Sequence, residues 1–353
     1  MDPKKFTALL MQWNTEENKR EMPWKGEKNP YRVWLSEIIL QQTRVEQGRA
    51  YYEKFIKKYS CISELAHAKD EDVFKLWEGL GYYTRCKNLL HTARLIDKEY
   101  NGVFPDTYEK IAVLKGVGPY TAAAISSFCF NLPYAVVDGN VFRVLSRISG
   151  NAVPIDSIEG KKAFTELANK VLDKVSPGIF NQAIMDFGAM VCKPALPLCS
   201  QCVLNKICNA LLHAAVNSLP VKEKRLKKKT RWFTYFIIEA AGKTLVIKRT
   251  LKDIWQNLFE YYLVETDANP VWDKDVIASV LSNQLGILDF EITKITSAKQ
   301  QQLTHQLIKG FFIRIKLKSV PESLNNPENQ WLKSPAIKRL PFPSFINQYT
   351  QGQ

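Results

Sequence analysis

The stretch MVCKPALPLCSQCVLNKIC, Met190 to Cys208, carries four cysteines, Cys192, Cys199, Cys202 and Cys208, separated by six, two and five residues, with Pro194 and Pro197 inside the loop. Four thiolates this close can surround one metal centre. Structural zinc usually takes two Cys-x-x-Cys pairs, or a Cys pair and a His pair, and neither pattern is present. Iron-sulfur clusters are held by four Cys thiolates, and one tight loop can supply them all. Disulfides in a secreted chain are the remaining alternative, and context opposes them. Behind Met1-Asp2-Pro3-Lys4-Lys5 the apolar residues Phe6, Leu9, Leu10 and Trp13 form a helical stripe, unlike the continuous apolar run of a signal peptide. The chain has seven cysteines, an odd count that favours metal binding or free thiols over pairing. An iron-sulfur cluster is therefore favoured over zinc, and zinc over disulfides.

The 353 residues, 46% of them hydrophobic, are enough to bury two or three ordinary cores. No segment approaches the uncharged apolar run of a membrane span, so a soluble, cytoplasmic protein without a membrane partner is expected. The formal net charge is +14 and the sequence pI is about 9.3. An excess of one sign on this scale points to a polyanionic partner, of which nucleic acid is the commonest soluble kind. With four histidines in the chain, His-rich metal or triad chemistry has few candidates.

Residues 3–18 read as an amphipathic helix, interrupted around Met22-Pro23-Trp24, Gly26 and Pro30. The run Tyr31 to Thr43, YRVWLSEIILQQT, is helical in period and sets Glu37 between Val33, Leu40 and Trp34. Apolar walls destabilise the charged form of a carboxylate, so such a Glu can hold a proton near neutral pH. A helix-edge Glu that reaches solvent or pairs with an arginine is the alternative, and for a lone Glu the commoner one. Gln42 and Thr43 follow, polar groups suited to base edges or to a vacated base site. Further along, Gly79-Leu80-Gly81-Tyr82-Tyr83 is either a loop that projects Leu80 and Tyr82 into a duplex or a simple turn between helices, and this stretch alone favours the turn.

Leu114 to Ile125, LKGVGPYTAAAI, is more specific. One helix ends at Gly116 and the next starts after Gly118, with Pro119 in its first turn. The glycines admit a phosphate to the backbone and the free amides of the new helix can bind it. This is the pattern of a helix-hairpin-helix element, about residues 109–130, which grips the DNA backbone without reading sequence. Next, Asp138-Gly139-Asn140 leads an extended entry into an amphipathic helix. Asp138 is suited to capping that helix, and a capping carboxylate held rigid and ionised can also stabilise a transient cation.

Behind Cys208 the composition shifts. Residues 211–231 read as a basic linker, with seven basic residues and one acid between Pro220 and Arg231. From Trp232 the pattern becomes strand-like, at Trp232–Ile238, Thr244–Lys248 and Phe311–Leu317, giving a second, α+β domain over 232–353. The tail, with Pro335, Pro341 and Pro343, is expected to be irregular.

Together these motifs resemble the MutY family of adenine DNA glycosylases, in the endonuclease III superfamily, over essentially the whole chain. The resemblance implies an α-helical helix-hairpin-helix glycosylase core over residues 1–210 with an iron-sulfur loop at 192–208, then a Nudix-like domain that senses 8-oxoguanine. It implies that Glu37 is the catalytic acid, that Asp138 stabilises the cation, and that Tyr120 and Asn140 orient it. Tyr120 stands where the endonuclease III branch carries its Schiff-base lysine, and Lys115 is on the wrong side of the hairpin to replace it. The implied activity is monofunctional: removal of adenine opposite 8-oxoguanine or guanine from double-stranded DNA, by base flipping, with no lyase step. Implied DNA contacts are Gln42, Thr43, Leu80, Tyr82, Gly116, Gly118, Thr304 and His305. The family commonly has Phe-Ser-His where this chain has Leu303-Thr304-His305, and Thr304 keeps a hydroxyl donor and acceptor. No Nudix hydrolase box is present, so the second domain is expected to read rather than to react. A monomer, nucleoid-associated if bacterial, is the implied working form. Two rivals stand beside this reading: a bifunctional glycosylase for oxidised pyrimidines, which needs the missing lysine, and a non-catalytic DNA-binding protein, which leaves Glu37 and Asp138 unexplained.

Overall fold

The computed structural model describes residues 1–223, 228–326 and 329–350, so residues 224–227 of the basic run lie outside the described residues. The chain divides into two compact units, Met1–His67 with Lys87–Arg225, and Ala68–Cys86 with Leu226–Gln353. The stretch Ala68–Cys86, read from sequence as part of the helical core, thus groups with the C-terminal residues.

The first unit is helical: α1 (Pro3–Glu16), α2 (Pro30–Leu40), α3 (Val45–Lys58) and α4 (Ile62–Ala66) precede that stretch. Within it lies α5 (Asp70–Trp77), and α6 (Thr84–Glu99) leads the chain back. The unit continues with α7 (Tyr108–Ala112), α8 (Pro119–Phe130), α9 (Gly139–Ser149), α10 (Ile158–Val171), α11 (Pro177–Met190) and the short α12 (Asn209–Leu212). Local chemistry sets many of these starts. Asp2, Asn29, Thr107, Asp138 and Ser157 each accept a backbone N–H of the helix they precede. Proline occupies the first turn of α1, α2, α8 and α11, where its missing N–H costs nothing. One core joins Phe6, Leu10 and Trp13 of α1 to Val141, Val144, Leu145 and Ile148 of α9 and to Phe180, Ile184 and Phe187 of α11.

The second unit contains an eight-stranded sheet: β1 (Lys229–Ala240), β2 (Lys243–Lys248), β3 (Phe259–Glu260), β4 (Tyr262–Thr266), β5 (Glu291–Ile295), β6 (Lys299–Gln302), β7 (Gln306–Leu317) and β8 (Asn329–Leu332). The long strands β1 and β7 pair in parallel at its centre, and the other pairings are antiparallel. Because β1 begins at Lys229, the last three residues of the expected linker are strand. Residues Phe236, Ile238, Ile313 and Ile315 on one face pack against Ile277, Leu281 and Leu285 of α13 (Lys274–Leu285). The other face carries Phe233, Tyr235 and Phe312 with Trp255, Phe345 and Tyr349, the rings of Phe312 and Tyr349 stacking at 4.2 Å.

Phe345 and Tyr349 belong to the tail, which is not irregular: it holds α14 (Ser334–Ile337) and α15 (Ser344–Thr350). Its prolines act as starts rather than breaks. Pro335 is in the first turn of α14, and the Pro343 carbonyl accepts the amides of Ile346 and Asn347 as α15 opens.

Gly310 sits opposite Phe233 in the β1–β7 pair, and a Cβ placed there would lie 1.8 Å from the Phe233 carbonyl oxygen. That contact is with backbone, which cannot swing aside. Gly310→Ala is expected to lower the stability of the second unit by roughly 2 kcal/mol or more, read as an earlier urea or thermal transition. An unchanged transition would show that the two strands can part without loss.

Candidate active site

Helix α2 is buried on almost every side, with Tyr31 and all residues from Val33 to Ile39 out of solvent, Ser36 and Glu37 included. It packs against α3 and α8, which is why a helix with so little polar face is stable. Glu37 is 6% exposed, so the solvent-reaching alternative fails, and the side chains that act on its carboxyl are Tyr120 and Asp138 rather than an arginine. Burial pushes its carboxyl up to about 7; a hydrogen bond from Tyr120 opposes the shift and the nearby Asp138 charge adds to it.

The hairpin places Tyr120. Gly116 has φ +83°, a left-handed conformation that glycine adopts freely, and a Cβ there would press the Asn88 side chain at 2.8 Å. Gly118 is the N-cap of α8 and Pro119 its first residue, so the chain reverses and Tyr120 enters the helix one step later. Its hydroxyl meets Glu37, and burial with the two neighbouring carboxylates holds the phenol well above its ordinary range.

Asp138 caps α9 and accepts two hydrogen bonds, from the Val141 amide to Oδ1 at 2.8 Å and from Asn140 Nδ2 to Oδ2 at 2.7 Å. Burial raises its carboxyl above the ordinary value, and the bonds from Val141 and Asn140 together with the Arg143 charge oppose that rise. Asn140 is held in turn by Arg143, whose Nη2 donates to Asn140 Oδ1 at 2.8 Å.

Glu37, Tyr120, Asp138 and Asn140 all line one cavity of about 340 Å³, at the lower end of the roughly 300–1,000 Å³ typical of small-molecule sites. Thr43 lines it too. Met22, Trp24, Val33, Leu40 and Phe128 supply apolar wall, and Arg20, Lys25 and Gln182 lie along another side. Two carboxyls in one pocket, one held up near 7 and the other anchored by hydrogen bonds, form an arrangement able to give a proton and to face a cation.

A family model described as HhH-GPD superfamily base excision DNA repair protein matches residues 35–171. An adenine DNA glycosylase of Buchnera aphidicola subsp. Baizongia pistaciae is 31% identical over 346 residues, covering 94% of this chain and 95% of that protein. The adenine DNA glycosylase of the Acyrthosiphon pisum subspecies is 38% identical over 260 residues, 72% of this chain and 73% of its own. The chain belongs to the adenine DNA glycosylase family. Among solved structures, a thermostable thymine-DNA glycosylase superposes with a TM-score of 0.56 at 29% identity, covering 60% of this chain and 97% of that one. This glycosylase is thus an N-glycosyl hydrolase that acts on DNA, built on a helix-hairpin-helix core.

The remaining site candidates of the glycosylase divide. Cys192, Cys199, Cys202 and Cys208 are all free thiols around a small cavity of about 30 Å³, which Arg147 also lines. Among the described residues no three His, Cys, Asp or Glu side chains form a group that could hold a single metal ion. Gly116 and Gly118 are exposed at the hairpin turn, Gln42 is exposed with φ 57°, and Thr304 and His305 are exposed between β6 and β7. Leu80 needs correction as a projecting wedge: it is 6% exposed, whereas Tyr82 is 40% exposed. The Tyr82 hydroxyl hydrogen-bonds Thr304 Oγ1, so two stretches 222 residues apart present one polar edge.

Sequence reasoning passed over two supports. Asp186 is fully buried beside the cavity wall, and both Arg20 (2.9 Å) and Lys25 (3.0 Å) pair with it. A lone acid in the apolar helix PGIFNQAIMDFGAM was the available signal. Arg143 was the second, one turn before Arg147 on the face of α9 that should have been wholly apolar.

The Glu37 shift fixes a stability profile. With its folded pKa near 7 and its unfolded value near 4.5, the folded state binds the extra proton, so stability is fullest below 4.5, falls as pH rises to about 7, and levels off beyond. Glu37→Gln is expected to match the parent near pH 4.5 and to exceed it at pH 9 by roughly 3 kcal/mol. Thermal unfolding across that range checks this; a pH-independent difference would deny the burial penalty.

Proposed function

We propose that this glycosylase removes adenine paired with 8-oxoguanine, or with guanine, from duplex DNA, as a monofunctional hydrolase working as a monomer. The observation that carries the reading is Glu37, held near pKa 7 against Tyr120 and facing Asp138 in one cavity. Adenine in a duplex is out of reach, so its nucleotide is rotated into the cavity, at a cost of about a few kcal/mol of unstacking. Phosphate contacts at the Gly116–Gly118 hairpin and on basic side chains offset that cost, and exposed Gln42 fills the gap left in the stack.

Protonated Glu37 gives its proton to adenine N7. The C1′–N9 bond then breaks, its electron pair staying on the base, and the sugar passes through an oxocarbenium-like state. Asp138, fixed by Val141 and Asn140, faces that cation as carboxylate. Glu37, now ionised, takes a proton from water as the oxygen adds to C1′, which returns Glu37 to its starting form. Tyr120 keeps the Glu37 carboxyl oriented through both proton transfers. No lyase step follows, because the hairpin offers a phenol where a Schiff base needs an amine. The lysines at the cavity wall are engaged elsewhere: Lys25 with Asp186 and the Arg20 carbonyl, Lys28 with the Phe128 carbonyl. Exposed Thr304 and His305, beside Tyr82, are the groups through which 8-oxoguanine would be sensed.

The four-cysteine loop fits a 4Fe-4S cluster: four free thiols around one small cavity, with buried arginines beside it. Bound there, the cluster supplies a structural staple for the loop, and the reaction steps above need no chemistry from it.

Single-turnover release from a duplex with adenine opposite 8-oxoguanine tests the reading. Release is expected to slow as pH rises through about 7, since Glu37 is the acid and is protonated below that value. Glu37→Gln should abolish release, a loss of at least about 100-fold for a general acid, while mispair binding persists. Strand breaks should appear only after alkali. Release by the Gln variant at the parental rate would remove Glu37 from the chemistry, and breaks without alkali would end the monofunctional reading.

A further inference from the structure

Two arginines of α9 are buried next to the cysteine loop, Arg143 at 8% and Arg147 at 3% exposed. Arg143 is accounted for: it donates to the Cys192 carbonyl, the Gly188 carbonyl and Asn140, and it lies beside the Asp138 charge. Arg147 is not. Its Nε donates to the Leu219 carbonyl at 3.1 Å, Nη1 to the Lys193 carbonyl at 2.8 Å, and Nη2 to the Pro194 carbonyl at 3.3 Å. Among the described residues no carboxylate pairs with it. Among the described residues the remaining hydrogen bond of its guanidinium runs from Nη1 to Cys192 Sγ at 3.4 Å, and its backbone carbonyl lies 3.6 Å from Cys208 Sγ.

A guanidinium out of water with only neutral carbonyls around it is costly, because carbonyl dipoles do not return the solvation of a full charge. The fork geometry shows what offsets the cost. Arg147 is tied at three points to the loop and to residue 219, and that clamp aims one N–H at a sulfur of the cysteine set, where an anionic centre belongs. On that basis, and resting on the reading of the loop as a 4Fe-4S site, we infer that Arg147 is the internal counter-ion of the cluster and acts on it through a charge-assisted hydrogen bond to the Cys192 thiolate. Cys192 is then unlike the other three ligands, since a cation faces its sulfur and a second arginine holds its carbonyl.

Two consequences follow from general chemistry. An N–H donor withdraws electron density from a thiolate ligand, and it favours the reduced, more negative cluster over the oxidised one, so it raises the reduction potential. It also occupies the lone pair that a proton would otherwise take, so it slows acid-driven loss of that ligand. Arg147 is a positioning residue in this scheme and touches no substrate.

The test compares purified wild-type holoprotein with Arg147→Met, which keeps length and loses charge, and Arg147→Lys, which keeps charge and loses the fork. Iron and acid-labile sulfide are measured first, then the cluster's midpoint potential without DNA, then the rate of loss of its visible absorption at pH 5. The Met variant should show a more negative potential and lose its cluster about tenfold faster, with Lys between it and wild type. A Met variant with full iron, the wild-type potential and the wild-type rate of loss overturns the inference, because a merely structural arginine would leave the potential alone. If Arg147→Met yields no folded protein, Arg147→Lys decides by the same two readings. Wild-type protein without iron and sulfide refutes the cluster reading itself, an outcome distinct from any change between variants.

Discussion

Helix α9 carries charge into the interior of the first unit, and much of the site depends on how that charge is satisfied. Asp138 stands at its N-terminus, where the Val141 amide and the Asn140 side chain donate to the carboxylate. One turn on, Arg143 bridges Asn140 to the Gly188 and Cys192 carbonyls, and another turn on, Arg147 grips Lys193, Pro194 and Leu219. A single helix therefore joins the cavity to the cysteine loop through continuous hydrogen bonds. Its close seat on α11 depends on Gly188, where a Cβ would approach the Asn140 Cβ at 2.7 Å. Geometry at the carboxylate and geometry at the loop are thus set by the same rigid element.

The cavity divides labour between two acids by environment. Glu37 comes from an almost wholly buried helix and has one opposing hydrogen bond, so desolvation wins and the proton stays on near neutrality. Asp138 is also raised by burial, but two donors and the Arg143 charge oppose the rise. The expectation of a simply ionised cap is refined by this: burial raises the Asp138 carboxyl above its ordinary value, and its partners oppose that rise. The Asp138 charge also raises Glu37, which helps to keep the proton on Glu37.

In the second unit the loop around Tyr82 is held by an internal cation. Arg85 lies between the Trp77 and Tyr82 rings, 5.2 and 5.4 Å from their centroids, and donates to the Gly81 carbonyl. Three positive-φ residues in a row of four would be a weak platform without such a strut. Its contact with Thr304 gives a physical reason why residues 68–86 group with the C-terminal sheet.

Sequence by itself determined what local chemistry can encode. Helix starts follow from capping side chains and first-turn prolines, the hairpin from two glycines and a proline, strands from β-branched and aromatic runs, and the cysteine loop from its spacing. Glu37 and Asp138 were legible because a carboxylate within an apolar helix and a carboxylate before a Gly-Asn turn are each locally unusual. Only tertiary structure decided whether Glu37 was buried or at an edge, since that depends on α3 and α8 closing over it. The same holds for the inward turn of Leu80, for the tail helix seated by Phe345 and Tyr349, and for Asp186 meeting cations 166 and 161 residues away along the chain. Periodicity reports which face of an element is apolar, but not what covers it; burial, and the shifts in charge that burial causes, belong to the packed whole.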